Sequence, residues 1–271
     1  YFVFTSVLFL MSFIDITSSA QTITNVQTSI PLCFGEFTGN STINVSQTSP
    51  ANDAEVKLLW QNPNTGFWVT LGTQYSQSPN YETSFIFPSL SAGEFRIDLI
   101  NTVSGVLLED VFFTLTQPTP LLFSVSTTNF NGFGVACNGG IGSIYLSNPI
   151  GGNGAPISYS FDGGITFIQS WNQGGLQAGN YTLAIKDALG CITYDSTVLT
   201  EPLPITISTQ VNDVSCNSLS DGSINIMPSG GVLPFSYFWN DGQISQQIVG
   251  LPVDTFSCII IDANGCNADT S

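Results

Sequence analysis

The sequence predicts an all-β protein made of tandem immunoglobulin-like β-sandwich modules, and three observations predict this fold. Apolar and polar residues alternate with the period of two that half-buried strands require, as in 181–186 and 235–240. Clusters of Gly, Pro, Asn and Ser interrupt these stretches about every eight to twelve residues, which is the spacing of sandwich hairpins. One set of short motifs recurs three times along the 271 residues.

The alternation assigns an inward face to the strands of the predicted modules. Leu183 and Ile185 share one face of their strand, and Tyr237 and Trp239 share one face of another. Cys258 aligns with Leu183, so we expect a small buried apolar residue there and not a bridge partner.

The N-terminal segment, residues 1–20, resembles a secretory signal and not a part of the fold. It contains an apolar run of about fourteen residues followed by a small polar stretch that ends at Ala20, which fits cleavage before Gln21. The run is shorter than the roughly twenty residues of a spanning helix, so we expect no membrane span in the mature chain. We interpret it as a partial signal peptide; a buried strand or a membrane anchor is the alternative.

The repeated motifs have a regular order. A leucine-containing loop opens a strand at Leu90, Leu176 and Leu251, and these leucines are 86 and 75 residues apart. Upstream, a cysteine precedes a glycine by five or six residues in each copy: Cys33, Cys137 and Cys216 mark the three. Spacing of this size predicts domain-sized repeats, larger than the units of helical solenoids.

These markers divide the chain into three modules. Proline at Gln117-Pro118 and Glu201-Pro202 suits short, stiff connectors. We therefore predict a divergent or degenerate sandwich at 21–118 and sandwich repeats at 119–203 and 204–271. The last repeat is expected to stop before its final strand, by comparison with 191–199 in the repeat before it.

The cysteines predict two disulfides within modules. Cys137 and Cys191 occupy the same places in the second module as Cys216 and Cys266 in the third, so we predict the bonds Cys137–Cys191 and Cys216–Cys266. The alternative is a set of reduced, buried thiols. Cys33 has no counterpart within its module and is expected to be free or paired outside this sequence. None of the cysteines has the C-x-x-C spacing of a zinc site.

Composition excludes several functions. The formal net charge is −16 with three cations, Lys57, Arg96 and Lys186, so the chain cannot neutralise a row of phosphates, and we expect no nucleic-acid partner. The sequence has no His, which removes the commonest general base and transition-metal ligand. Together with the absence of a phosphate-binding glycine loop, this predicts a protein that is not an enzyme and needs no cofactor.

Carboxylates and aromatic rings are the remaining candidates for chemistry. Five aspartates could in principle form an acid pair, but most lie in turn motifs where the carboxylate bonds its own backbone. They are Asp187, Asp195, Asp221, Asp241 and Asp262. Loop carboxylates also make calcium a minor candidate ligand, with no particular residues assigned.

The four tryptophans divide into two pairs. Trp68 and Trp171 lie among Gly, Asn and Gln residues and are candidate ligand contacts, either as sugar-stacking rings or simply as packing residues. Trp60 and Trp239 end apolar strands and are predicted to be core residues.

The motifs of the second and third modules resemble a known repeat. In the third module they read Cys216-Asn217, Asp221-Gly222-Ser223-Ile224, Ser229-Gly230-Gly231 and Pro234–Trp239; the second module adds the ending Asp187–Cys191 and Glu201-Pro202. This pattern resembles the SprB-type repeat of Bacteroidetes cell-surface adhesins. In some members of this family the adhesin is carried by gliding machinery. It covers residues 119–271 well and the first module poorly.

The resemblance implies a non-enzymatic extracellular repeat protein that acts as a structural stalk or adhesin at the bacterial cell surface. We expect it to be secreted or held on the outer membrane exterior, attached through regions outside this sequence, with surface glycans or proteins as partners. The alternative is a carbohydrate-binding or accessory region of a larger secreted hydrolase.

Overall fold

The computed structural model describes residues 21–47, 54–75, 82–216 and 219–270. The regular structure of these residues consists of β-strands arranged in six sheets, which confirms the all-β, immunoglobulin-like prediction. The chain divides into two compact units, one containing residues up to Leu121 together with Gly151–Gly154, the other containing Leu122–Ile150 and the residues from Ala155 on. The predicted signal peptide, 1–20, lies outside the described residues.

The first module is a seven-stranded sandwich. A three-stranded sheet has the order β1-β2-β5 and a four-stranded sheet the order β4-β3-β6-β7, with antiparallel neighbours throughout. Between them lies a core of fully buried apolar side chains that includes Ile43, Leu58 and Phe95. The strands are β1 (Gln21–Ser29), β2 (Gly39–Gln47), β3 (Ala54–Gln61), β4 (Trp68–Tyr75), β5 (Glu82–Leu90), β6 (Gly93–Asn101) and β7 (Leu107–Leu115).

The second module repeats this topology with six strands. Its sheets have the orders β11-β9-β8 and β10-β12-β13. The predicted inward residues Leu183 and Ile185 are 0% exposed, as are Ile144 and Leu146 of the opposite sheet. The strands are β8 (Leu122–Thr127), β9 (Gly142–Ile150), β10 (Ser158–Ser160), β11 (Asn172–Leu176), β12 (Gly179–Lys186) and β13 (Ile192–Leu199).

The third module has the same arrangement, with sheets β14-β15-β17 and β16-β18-β19. Trp239 and Cys258 are buried in its core, as predicted, whereas Phe238 on the opposite face of β16 is 50% exposed. The strands are β14 (Thr206–Asn212), β15 (Gly222–Ser229), β16 (Ser236–Trp239), β17 (Gln247–Leu251), β18 (Cys258–Ile261) and β19 (Asn267–Thr270).

The expectation that the third module stops before its last strand is wrong. β19 pairs with β18 in antiparallel register over four residues, from Ile261↔Asn267 to Cys258↔Thr270. The tight turn before it reverses the chain at once, so the few residues after Cys266 are sufficient to extend the sheet.

The recurring glycine and leucine motifs have a common structural cause. In every module the second strand begins at a glycine that pairs with the motif leucine: Gly39 with Leu90, Gly142 with Leu176 and Gly222 with Leu251. A Cβ at Gly39 would lie 2.8 Å from the carbonyl oxygen of Leu90, closer than a side chain can approach. A residue without a side chain is therefore required where these two strands of the first module meet.

Candidate functional site at the junction of two modules

Each module carries an opening loop between its first two strands, and each opening loop contains a cysteine. In all three loops the cysteine carbonyl accepts a hydrogen bond from the amide three residues later: Glu36 to Cys33 at 3.3 Å, Gly140 to Cys137 at 3.0 Å and Leu219 to Cys216 at 3.0 Å. Cys33, Cys137 and Cys216 therefore start the same tight turn in three places, which makes them structural equivalents.

The opening loop of the second module is fixed to the end of that module. The amide of Gly139 donates to Glu201 Oε2 at 2.6 Å, and Asn138 Nδ2 donates to the carbonyl of Pro202 at 3.2 Å. The amide of Val135 donates to the carbonyl of Thr200 at 3.0 Å. These bonds hold the loop beside the connector to the third module.

A second cysteine-bearing element, the closing turn, joins the last two strands of the second and third modules. In the third module Asp262 Oδ1 accepts the amides of Asn264 and Cys266, each at 2.9 Å. In the second module Asp187 Oδ1 accepts the corresponding amides of Leu189 and Cys191, at 3.0 and 2.9 Å. Because the carboxylate bonds its own turn, it presents the cysteine in a fixed orientation.

The opening loop and closing turn of one module lie at opposite ends of the sandwich. Leu176 pairs with Gly142 beside the opening loop, and β12 starts from that end three residues later. Over its eight residues, β12 carries the chain about 26 Å away before the closing turn. Two cysteines this far apart exceed the Cα separation of about 7 Å that a disulfide can bridge.

The predicted bonds within modules are accordingly wrong, and a bond between modules is present instead. Cys137 in the opening loop of the second module is bonded to Cys266 in the closing turn of the third, 129 residues later, with their Cα atoms 5.6 Å apart. Cys216 is free and exposed. Cys191 is disulfide-bonded but not to Cys137, and Cys33, which we expected to lack a partner in this sequence, is disulfide-bonded as well.

Asn264 adds a set of hydrogen bonds to the same junction. Its Nδ2 donates to the carbonyl of Ala136 at 2.9 Å and to that of Phe130 at 3.3 Å. Its Oδ1 accepts from Asn131 Nδ2 at 2.6 Å. One side chain in the closing turn of the third module thus bonds three groups in the opening loop of the second.

The other aspartates named from the sequence also accept hydrogen bonds from residues close by in the chain. Asp221 accepts from the amide and hydroxyl of Ser215, at 3.0 and 2.6 Å, and these bonds lower the pKa of its carboxyl group, the hydroxyl bond contributing most. Asp241 accepts from the amide of Gln243 in its own turn, whereas Asp195 lies within β13 and accepts from the amide of Ser196. The prediction that most of these carboxylates bond their own turns is thereby confirmed, with Asp195 as the exception.

Asp162 is an additional loop carboxylate that sequence reasoning did not single out. It accepts from the Ser160 and Thr166 hydroxyls at 2.6 and 2.5 Å, and from the amides of Ile165 and Thr166. These bonds, led by that from Ser160, lower the pKa of its carboxyl group to about 2. The sequence signal was the Asp-Gly-Gly stretch that follows Phe161.

The two tryptophans proposed as ligand contacts lie in different environments. The Trp171 side chain is 51% exposed and its ring lies 5.7 Å from the ring of Tyr145. Trp68 packs at 5.7 Å against Phe112, and the Arg96 guanidinium lies 5.4 Å from its ring centroid. Trp171 therefore offers an accessible aromatic surface, whereas the ring of Trp68 is occupied by neighbours.

The described part of the chain contains no group of three or more His, Cys, Asp or Glu residues placed to hold a metal ion. Calcium consequently has no assigned site. Within the same residues, no helix is long and apolar enough to cross a membrane.

Comparison with protein-family models gives one match, to the SprB repeat, over residues 208–244. These residues carry a SprB repeat. The matched segment runs from β14 to just beyond β16 and includes Cys216, but not the closing turn with Cys266. The resemblance stated from the sequence is thereby confirmed for the third module. Comparison with curated proteins gives no match.

Solved structures similar to the chain include a fragment of intimin, a repeat region of an adhesion protein and an enzyme. A C-terminal fragment of intimin, solved with the intimin-binding domain of its translocated receptor, is 15% identical; 69% of this chain and 66% of the fragment are covered, with a TM-score of 0.33. A tetra-tandem repeat from the extending region of a large adhesion protein is 12% identical over 90% and 72%, with a TM-score of 0.26.

A β-glycosidase from Bacteroides vulgatus is also 12% identical, with a TM-score of 0.22; 65% of this chain and 24% of the enzyme are covered. The chain thus spans just under two thirds of the intimin fragment and about a quarter of the enzyme. At these identities and TM-scores the similarities carry no argument about function.

Proposed function

We propose that this chain is a non-enzymatic, load-bearing section of an extracellular repeat protein that serves as a stalk or adhesin at the cell surface. The observation that carries the proposal is the Cys137–Cys266 bond, which covalently joins two consecutive modules. The SprB repeat at 208–244 supports a surface role, and disulfides support an oxidising, extracytoplasmic location. The same resemblance supports a Bacteroidetes source and the outer membrane exterior.

The bond has a direct mechanical consequence. When the chain is pulled from its two ends, tension passes from Cys137 to Cys266 through the disulfide and bypasses the 129-residue segment between them. That segment would otherwise extend by roughly 430–460 Å. The second and third modules therefore resist unravelling even when their hydrogen bonds break.

The candidate acids support the non-enzymatic part of the proposal. The sequence has no His. Asp187 and Asp262, two of the candidate acids, are 5% exposed and bond the amides of their own closing turns. Groups engaged in this way stabilise turns and are not available as an acid pair.

Single-molecule force spectroscopy on the full chain tests the proposal. In a Cys33→Ser/Cys191→Ser background, which removes the other bonded cysteines, and in the absence of reductant, we expect the total extension to fall short of the fully unfolded length by roughly 430–460 Å; adding Cys137→Ser/Cys266→Ser should regain this length. The matched control, Cys216→Ser, removes a free thiol and should behave like the wild type. Equal extension with and without the Cys137–Cys266 bond in this background would contradict the load-bearing role.

One observation favours the alternative function, a carbohydrate-binding or accessory region of a secreted hydrolase. The half-exposed Trp171 ring beside Tyr145 is the kind of surface on which sugar rings stack. Saturable binding on a glycan array that is lost in Trp171→Ala but kept in Phe238→Ala, a change at an equally exposed aromatic residue, would support this alternative. No binding in the wild type would exclude it for this chain.

A further inference from the structure

Cys216 has a bonded equivalent in the preceding module. Cys137 and Cys216 each start a tight turn in an opening loop, and each is followed by the glycine that opens the second strand, Gly142 or Gly222. Cys137 holds the closing turn of the next module, whereas Cys216 is free and exposed. The same structural position is thus occupied in one module and accessible in the next.

Hydrogen bonds form at Cys216 and at the residue before it although Cys216 has no bonded partner. Asp221 accepts from both the amide and the hydroxyl of Ser215, the residue before the cysteine, and Leu219 donates to the Cys216 carbonyl. These contacts hold the residue before Cys216 and the Cys216 carbonyl. The thiol is consequently attached to backbone that is held before any bond forms, which lowers the entropic cost of bonding.

The topology places this loop at the exit end of the third module. Gly222 pairs with Leu251, just as Gly142 pairs with Leu176 in the second module. In the second module that end is where the opening loop bonds Glu201 and Pro202 of the connector. Cys216 therefore lies where a following module would begin.

We propose that Cys216 is a covalent docking site for the closing turn of a further SprB-type repeat, bonding that turn's cysteine as Cys137 bonds Cys266. The occupant is an Asp-x-x-Gly-Cys turn. It must come from another repeat, because both closing-turn cysteines of this chain, Cys191 and Cys266, are already disulfide-bonded.

The bond forms by thiol–disulfide exchange with a small disulfide such as oxidised glutathione as oxidant. The thiolate of one cysteine attacks the small disulfide, forms a mixed disulfide and releases one thiol. The second cysteine, as its thiolate, then displaces the remaining small thiol. Two protein thiols are oxidised to one disulfide, and one molecule of the oxidant is reduced to two thiols.

The inference deepens the proposed function, since it extends the module-to-module bond along the repeat array, yet it can fail independently. In force spectroscopy, an extension that is the same with and without the Cys137–Cys266 bond would refute the load-bearing role. A Cys216 that stays unbonded beside a docked module would refute only the docking site.

The test is a full chain extended by one more module. Ser271 lies five residues after Cys266, as Ser196 lies five residues after Cys191, so a second copy of residues 197–271 placed after Ser271 continues the strand in register. After refolding with a glutathione redox pair, non-reducing peptide mapping should join Cys216 to the Cys266 of the added copy. The added copy's own Cys216 should remain reactive to maleimide.

A second fusion repeats the test with a different closing turn. It carries residues 197–203 followed by 120–196, so that the added turn contains Cys191. In both fusions Cys216→Ser in the original module should leave the added turn cysteine reactive. The buried Cys258, 1% exposed, should stay unlabelled until the protein unfolds.

The original Cys137–Cys266 bond is the internal reference. If it forms while the added turn cysteine stays reduced or bonds within its own module, the proposal is overturned. Loss of the reference bond in both fusions also counts against it, because a module that docks at Cys216 should leave the earlier junction intact.

Discussion

Removing the disulfide between modules should lower the free energy of unfolding by an amount that the loop size determines. The change is Cys137→Ser/Cys266→Ser, made together so that no unpaired thiol remains. For joint unfolding of both modules the closed loop is given by the 129-residue separation, and the chain-entropy model predicts a loss of about 5 kcal/mol. If the third module unfolds alone, the folded second module still holds the loop of Cys137 beside Pro202. The closed loop then runs from Pro202 to Cys266, and the loss in the free energy of unfolding is about 4 kcal/mol.

Guanidinium denaturation without reductant, followed by tryptophan fluorescence, measures this loss. Trp239, one of four tryptophans, lies in the core of the third module, so the part of the signal that disappears in a Trp239→Phe background reports unfolding of that module. Cys216→Ser is the matched control, because it removes the equivalent cysteine where no bond exists. A double variant within about 1 kcal/mol of the wild type would refute the reasoning that the bond restrains the unfolded chain.

Three further changes test the junction, a loop carboxylate and the core. Asn264→Ala leaves the Ala136 carbonyl without its 2.9 Å donor and should cost about 1–2 kcal/mol in thermal or chemical unfolding. Asp162 has a pKa lowered from 3.8 to about 2, so the stability it contributes is fully present above about pH 4 and is lost as the pH falls toward 2; melts of the wild type and Asp162→Asn should converge there. Ile260→Ala, at a fully buried position, should cost about 2–5 kcal/mol in the third module.

Each of these predictions has its own control. Asn267→Ala changes an exposed asparagine beyond the closing turn and should be nearly neutral. A difference between wild type and Asp162→Asn that persists unchanged at pH 2 would contradict the assigned pKa. Ile259→Ala, at a neighbouring position that is 48% exposed, should cost much less than Ile260→Ala, and equal losses would contradict the assigned strand faces.

The strand faces could be predicted because they depend on local sequence. Alternation with a period of two placed Ile185, Trp239 and Cys258 in the core, and all three are buried. The turn aspartates could be predicted for the same reason, since Asp187 and Asp262 bond residues only a few positions away.

The disulfide pairing could not be predicted, because repetition by itself does not distinguish a bond within a module from a bond between neighbours. Cys137 recurs as Cys216, and Cys191 recurs as Cys266, so both pairings have the same repeating pattern in the sequence. The pattern says which cysteines are equivalent. It does not say which ones are close together.

The sequence by itself determined the all-β class, the buried strand faces and the turn chemistry, because each depends on residues that are neighbours along the chain or on one strand. Only the tertiary structure decided the partner of Cys137. The opening loop and closing turn of one sandwich lie about a strand length apart, whereas the opening loop of the second module meets the closing turn of the third at their junction. Cys191 is nearer to Cys137 along the chain than Cys266 is, but β12 carries the chain away from the opening loop, so Cys266 is the cysteine that lies within bonding distance.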